Sequence, residues 1–107
     1  MLAIYARVSQ DKDDEKNSIE TQIALGRAYS QKLGLNCEVY EDNGISGTLE
    51  IEKRPALYEL VQDIASKKIT HVFAYDQSRL ERNNEVWSTL YFLFQKDNVK
   101  LFFKNSG

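Results

Sequence analysis

The sequence is poor in the residues that usually mark a metal site, a disulfide framework or a flexible linker. Its 107 residues include one cysteine, Cys37, one histidine, His71, and one proline, Pro55. A single cysteine excludes an internal disulfide and a zinc site made of several cysteines. A single histidine likewise excludes a histidine cluster. The length suits one hydrophobic core and is too short for two.

Long apolar runs and an excess of basic charge are also lacking. No stretch approaches the roughly 20 apolar residues that span a membrane, and the apolar start reaches a charge at Arg7, too early for a signal-peptide core. We therefore expect a cytoplasmic protein without a membrane partner. The 14 basic and 16 acidic side chains give a net charge of −2. Contact with DNA would thus need a local group of arginines or a segment outside this chain.

Short apolar segments alternate with amphipathic ones along the chain. The apolar segments predict four strands, at 2–7, 37–42, 70–75 and 99–103. Helices are predicted between them, since each pair of strands is separated by a helical pattern. This alternation favours an α/β fold, an open and mostly parallel four-stranded sheet with helices on both faces.

Capping residues indicate where the helices begin and end. Asn17 is the predicted N-cap of the first helix, with Glu20 completing a capping box, and Gly34 follows its last turn. The second helix begins at Pro55. The third is predicted to be capped by Asn83 or Asn84. The best amphipathic pattern lies in the second helix, whose apolar positions are Leu57, Leu60, Val61 and Ile64.

The third helix carries two adjacent apolar stripes. The first stripe comprises Val86, Leu90 and Leu93, and the second comprises Trp87, Tyr91 and Phe94. Together they are wider than a one-sided helix requires. Either the helix is sandwiched in the core, or its outer face meets a missing segment or a partner subunit.

Arginines and hydroxyl residues follow the predicted strands at their carboxyl ends, where open parallel sheets bind ligands. The first strand leads into Arg7 and Ser9, the second into Asp42 and then Ser46. The third leads into the segment 76–82, which contains Arg79 and Arg82. Arg54 could join this edge if the loop before it folds back.

A serine among arginines suits a phosphoester substrate better than an acyl one. His71 lies at the opposite end of the third strand, which argues against a Ser-His-Asp hydrolase. Guanidinium groups bind phosphate oxygens and keep their charge, and phosphoryl transfer depends on neutralising negative charge. On spacing alone, however, Ser9 could simply end a strand and the arginines could be solvated surface residues.

Five short motifs in order resemble the serine recombinase family, which includes resolvases, invertases, and large serine integrases and transposases. The motifs span nearly the whole chain, and the acidic loop after Ser9 is most similar to the integrase and transposase branch. They are Tyr5-Ala6-Arg7-Val8-Ser9, Ser18-Ile19-Glu20-Thr21-Gln22, Gly44-Ile45-Ser46-Gly47, Arg54-Pro55-Ala56-Leu57 and Ser78-Arg79-Leu80-Glu81-Arg82-Asn83.

The resemblance implies a mechanism and a set of site residues. Ser9 would attack a DNA phosphodiester and form a 5′-phosphoserine intermediate, followed by strand exchange and religation. The catalytic arginines would be Arg7, Arg79 and Arg82. The supporting or phosphate-binding positions would be Tyr5, Gln22, Asp42, Ser46 and Arg54. No metal and no cofactor would be needed, because the phosphoserine stores the bond energy.

The resemblance also implies an architecture and partners. It predicts a resolvase-like three-layer sandwich with strand order 2-1-3-4, in which residues 1–107 form a catalytic domain that stops before a long C-terminal helix. The partners would be DNA, bound specifically through the missing C-terminal region, and further copies of the chain in a dimer or tetramer. A bacterium, phage or other mobile element would be the source. The isolated chain would be inactive alone.

The chain departs from the family pattern at Ser78, where an aspartate often precedes the first arginine. Asp76 lies two residues earlier, and the proton acceptor for Ser9 stays unassigned. One alternative function is a truncated, non-catalytic remnant or a regulatory oligomerisation module of the same fold. Another is an unrelated flavodoxin-like binding or signalling module. A nucleotide-binding version would need a glycine-rich loop after the first strand, and residues 8–18 contain no glycine.

Overall fold

The computed structural model describes residues 1–8, 18–46, 48–80 and 84–104, and only the backbone of Ser78 and Arg79. Four strands, four α-helices and one 3₁₀ turn make up this part of the chain. In chain order they are β1 (Leu2–Val8), α1 (Ile19–Leu33), β2 (Cys37–Asn43), the 3₁₀ turn (Ile51–Lys53), α2 (Pro55–Ala65), β3 (His71–Ala74), α3 (Gln77–Leu80), α4 (Asn84–Lys96) and β4 (Lys100–Phe103).

The strands form one parallel sheet in the order β2-β1-β3-β4, as predicted. Tyr5 in the central strand β1 lies opposite Tyr40 in β2 and Ala74 in β3. Strand alternation sends Leu2 and Ile4 to one face, where they pack with residues of α1. Tyr5 belongs to the larger core on the other face, to which α2 and α4 contribute. The three-layer prediction is therefore confirmed.

Two local predictions need correction. The N-cap of α1 is Ser18, whose hydroxyl accepts a hydrogen bond from the Thr21 amide at 3.2 Å; the predicted cap, Asn17, lies outside the described residues. The short helix α3 was not predicted, because four residues in a polar segment show no periodicity. Helix α4 begins at Asn84, and Asn83 is outside the described part.

Helix α4 is not buried on all sides, so it is not sandwiched in the core. Val86, Leu90 and Phe94 are its buried residues. The buried set therefore combines two residues of the first stripe with Phe94 of the second, and Leu93 is only partly buried. Tyr91 and Phe92 are exposed to 51 % and 64 %. The outer face of α4 is thus open to solvent in this chain.

A glycine sets how closely α1 approaches the sheet. A Cβ atom on Gly26 would lie 2.6 Å from Cγ2 of Ile4 and 2.8 Å from its Cγ1. Ile4 is fully buried, so it has little room to move. We expect Gly26→Ala to lower the free energy of unfolding by about 1–3 kcal/mol, net of the helix propensity gained, as measured by urea titration.

The double variant Gly26→Ala/Ile4→Ala is the control for this prediction. It should show a favourable coupling of at least about 1 kcal/mol in a double-mutant cycle, because Ile4→Ala removes the atoms that clash. Strictly additive effects would contradict the close-approach explanation.

Two features are absent from the described residues. None of their helices is both long and apolar enough to cross a membrane. Within the same residues, no group of three or more histidine, cysteine, aspartate or glutamate side chains is placed to hold a metal ion.

Candidate active site

Arg7 lies at the carboxyl end of β1, where its backbone is held by a side chain from α1. The Arg7 amide donates to Oε1 of Gln22 at 3.1 Å, and Nε2 of Gln22 donates back to the Arg7 carbonyl at 3.1 Å. Both residues are fully buried. The Gln22 carboxamide thus pairs with both the backbone N–H and the backbone carbonyl of Arg7. This pairing fixes the end of β1 against α1. The supporting role predicted for Gln22 in a phosphate site stays a prediction.

The Arg7 side chain turns toward the loop after β2. Its Nη1 donates to the carbonyl of Ile45 at 2.9 Å. The loop is fixed in turn on β1, because the amides of Gly44 and Ile45 donate to the Val8 carbonyl at 2.8 and 3.1 Å. Gly44 has φ of 76°, a left-handed conformation that glycine adopts without strain. The guanidinium is therefore oriented by a backbone carbonyl.

A buried chain of hydrogen bonds runs beside Arg7 through Asp42, Tyr5 and Arg54. The Tyr5 hydroxyl donates to Oδ2 of Asp42 at 2.7 Å and accepts from Nη2 of Arg54 at 2.9 Å. Asp42 also accepts from the amides of Ala56 and Leu57, at 2.8 and 3.1 Å, and so caps the start of α2. Nη2 of Arg54 also donates to the Leu80 carbonyl at the end of α3. We call Tyr5, Asp42 and Arg54 the buried brace.

The brace is closed to solvent. Arg54 and Tyr5 are fully buried and Asp42 is 2 % exposed. Burial is the main reason that the pKa of the Tyr5 hydroxyl is raised well above its ordinary value; the nearby Arg54 charge opposes the shift, and Asp42 adds to it. Tyr5 therefore stays protonated at neutral pH and acts as a hydrogen-bond donor to Asp42.

Helix α3 brings the arginine segment to the same edge. It follows β3 directly, and Leu80 at its end is fully buried. The backbone of Arg79 therefore lies within an element that is anchored at Leu80. The side chain of Arg79 lies outside the described part, as do Ser9 and Arg82. Their predicted roles stay predictions.

Ser46 and Arg54, which the sequence grouped with the edge, have described hydrogen bonds within the chain, and their predicted site roles stay predictions. Ser46 follows the loop as expected, but its described hydrogen bonds are with Thr48, at 2.8 Å between the hydroxyls and 3.2 Å from the Thr48 amide. Arg54 does fold back toward the edge. Its described hydrogen bonds, however, are internal, to Tyr5 and Leu80.

Sequence reasoning missed the backbone carbonyls of Ile45 and Leu80, each of which accepts from a buried guanidinium. No side-chain pattern could have indicated them, since every residue carries a carbonyl group. The only related signal is Gly44, whose type suggests a tight turn before Ile45.

The chain was compared with protein families and curated proteins. Residues 2–107 match the family model described as "Resolvase, N terminal domain". The chain is 36 % identical, over 98 % of its length, to a Bacillus subtilis (strain 168) protein named "Putative DNA recombinase". It spans 20 % of that relative.

Solved structures with the same architecture include several at more than 25 % identity, of which two illustrate the match. The N-terminal catalytic domain of TP901-1 integrase gives a TM-score of 0.83 at 32 % identity, covering 97 % of this chain and 77 % of that one. A resolvase family site-specific recombinase from Streptococcus pneumoniae gives 0.77 at 26 % identity, covering 99 % and 72 %. These similarities exclude the unrelated flavodoxin-like module.

Proposed function

The chain belongs to the family of resolvase N-terminal domains, and we propose that it is the catalytic domain of a site-specific DNA recombinase with Ser9 as nucleophile. The observation that carries the proposal is the fixed sheet edge. There Arg7, the residue before the last of β1, is clamped two residues before Ser9, and the buried brace holds the end of the segment that carries Arg79. Such preorganisation is what phosphoryl transfer requires of a protein.

In the proposed reaction the Ser9 hydroxyl attacks the phosphorus of a DNA phosphodiester. A serine–phosphate bond forms, the bond between phosphorus and the deoxyribose O3′ breaks, the serine hydroxyl releases its proton and the departing O3′ takes one up. The products are therefore a 5′-phosphoserine and a free 3′-hydroxyl. Religation reverses these steps on an exchanged strand. Each step exchanges one phosphate ester bond for another. The reaction therefore needs no nucleotide and no external energy source.

The arginines neutralise the negative charge that develops on the phosphate oxygens. Arg79 and Arg82 follow β3 and bind the phosphate in this proposal, together with Arg7. Arg7 is fully buried and donates to the Ile45 carbonyl. A phosphate therefore reaches the Arg7 guanidinium only after the Ile45 carbonyl is displaced. Binding of DNA then exchanges a carbonyl acceptor for a charged one, which makes the stronger hydrogen bond.

Two candidate proton acceptors for Ser9 are disfavoured by their surroundings. Tyr5 is protonated and donates to Asp42, so it has no basic form available at neutral pH. The Asp42 carboxylate lies inside the brace and already accepts three hydrogen bonds. Both residues support the site and do not take part in proton transfer.

The partners proposed for the whole protein are DNA and further copies of the chain, in a dimer that pairs into a tetramer. DNA recognition is assigned to a region outside these residues, since the net charge here is −2. The exposed Tyr91 and Phe92 of α4 fit a helix that is covered in such an assembly.

The test is to locate the DNA–protein bond chemically. The full recombinase is incubated with duplexes that tile the DNA on both sides of its gene, stopped with detergent, and digested with nuclease and trypsin. Tryptic cleavage after Arg7 and Lys12 yields the peptide 8–12, in which Ser9 is the only hydroxyl residue. We expect a nucleotide mass on this peptide. A nucleotide on another peptide would overturn the assignment, and bound DNA without any adduct would favour the regulatory alternative.

A further inference from the structure

The buried brace joins two elements that the sheet does not connect, the start of α2 and the end of α3. Asp42 accepts from two α2 amides at one end, and Arg54 donates to the Leu80 carbonyl at the other. Between them lies a single hydroxyl group, that of Tyr5. Helix α3 has only four residues, too few to hold its own position by internal hydrogen bonds.

The direction of each hydrogen bond in the brace is fixed by chemistry. A carboxylate can only accept and a guanidinium can only donate. The Tyr5 proton must therefore point at Asp42, which turns the oxygen lone pairs toward Arg54. The Arg54 guanidinium carbon also lies 5.6 Å from the centre of the Tyr5 ring, within the range of a cation–π contact. Tyr5 thus contacts Arg54 through both its hydroxyl group and its ring.

We propose that Tyr5, through its hydroxyl group, is a positioning residue that sets where α3 and the backbone of Arg79 lie relative to Arg7. Tyr5 and Arg7 are on the same strand, and the brace carries the position of that strand to Leu80. Arg54 acts from behind the phosphate site, holding α3, and does not itself bind DNA. The proposal rests on the proposed function for its catalytic consequence, but its structural part does not.

The chain offers a matched control in Tyr40, which lies opposite Tyr5 in the neighbouring strand. Tyr40 is also buried in the large core, and its hydroxyl donates to a carboxylate, Oδ2 of Asp63, at 2.6 Å. Asp63, however, is near the far end of α2 and has no described contact with α3. Tyr5→Phe and Tyr40→Phe therefore remove the same group from the same core, and only the first breaks the brace.

The first measurement is amide hydrogen exchange on the 107-residue chain at matched global stability. The Leu80 amide, which donates to the Asp76 carbonyl at 3.4 Å, is the reporter for α3. Tyr5→Phe should speed its exchange about tenfold, the equivalent of one net hydrogen bond, and should leave the amides of α1 at their normal rates. Tyr40→Phe should leave Leu80 unchanged. An unchanged Leu80 in Tyr5→Phe, or equal acceleration in both variants, would overturn the proposal.

The second measurement is single-turnover cleavage by the full recombinase at saturating DNA. Tyr5→Phe should lower the rate constant about tenfold or more with the DNA dissociation constant unchanged, whereas Tyr40→Phe should cleave normally. If the unsubstituted protein forms no Ser9 adduct, the proposed function fails while the exchange result still decides the positioning role. Should Tyr5→Phe not fold, Arg54→Lys replaces it, because lysine keeps the charge but not the planar fork that reaches both partners.

Discussion

Replacement of Ser9 by alanine in the full recombinase is expected to abolish DNA cleavage while DNA binding persists. The variant lacks the oxygen that would form the bond to phosphorus, and the remaining arginines can stabilise charge but cannot replace a covalent nucleophile. We expect a fall of at least about a thousandfold in the cleavage rate. Gel separation of covalent adducts from free DNA measures the loss, and a filter-binding titration measures the affinity.

Ser18→Ala is the control for this substitution. Ser18 is the N-cap of α1, and its hydroxyl accepts from the Thr21 amide. Its loss should cost about 1 kcal/mol of stability and leave cleavage intact, so that instability and chemistry are separated. Adducts formed at the normal rate by the Ser9→Ala protein would show that the nucleophile lies elsewhere.

The order of strands and helices could be predicted from the sequence because apolar runs and caps are local signals. Pro55 does begin α2, and Gly34 does end α1 in a left-handed conformation. Asn17 was predicted as the N-cap where the structure has Ser18, because both residue types cap helices well. Helix α3 was missed because it is held by contacts with distant parts of the chain and not by a repeating pattern.

The candidate site likewise contains residues that the sequence indicated and contacts that only the structure shows. Arg7 was predicted from its place at the end of the first strand and Gln22 from the family resemblance, and the structure adds that Gln22 holds the Arg7 backbone. The orientation of Arg54 could not be read from its neighbours in sequence. Its partner Tyr5 is 49 positions away and Leu80 is 26 positions away. Only the folded chain shows that Arg54 holds α3 from inside.

The largest stability effect is expected from Asp42→Ala. The substitution removes the acceptor of three hydrogen bonds, two of them buried, and leaves the buried Arg54 without the carboxylate at the other end of the brace. Each donor that is left buried without its acceptor costs about 1–3 kcal/mol, so the total is a large share of the roughly 5–15 kcal/mol that keeps a domain folded. Urea titration should show a correspondingly lower midpoint.

Asp63→Ala tests whether any aspartate bonded to a buried tyrosine has this effect. The Asp63 carboxylate accepts from the Tyr40 hydroxyl, and its side chain is 24 % exposed. Water can replace the lost partner there, so we expect a cost of about 1 kcal/mol. Similar losses for the two alanine variants would contradict the special position of Asp42.

Asp42→Asn then separates charge from shape. Both carboxylate oxygens are used in the native structure, Oδ1 by the Ala56 amide and Oδ2 by Leu57 and Tyr5. An asparagine in the same place offers one oxygen, so its NH₂ group must face a backbone N–H or the Tyr5 hydroxyl. If it faces Tyr5, the hydroxyl can only accept, from both sides, and the fixed direction of the brace is lost. The stability loss should therefore approach that of Asp42→Ala, although the side chain keeps almost the same volume.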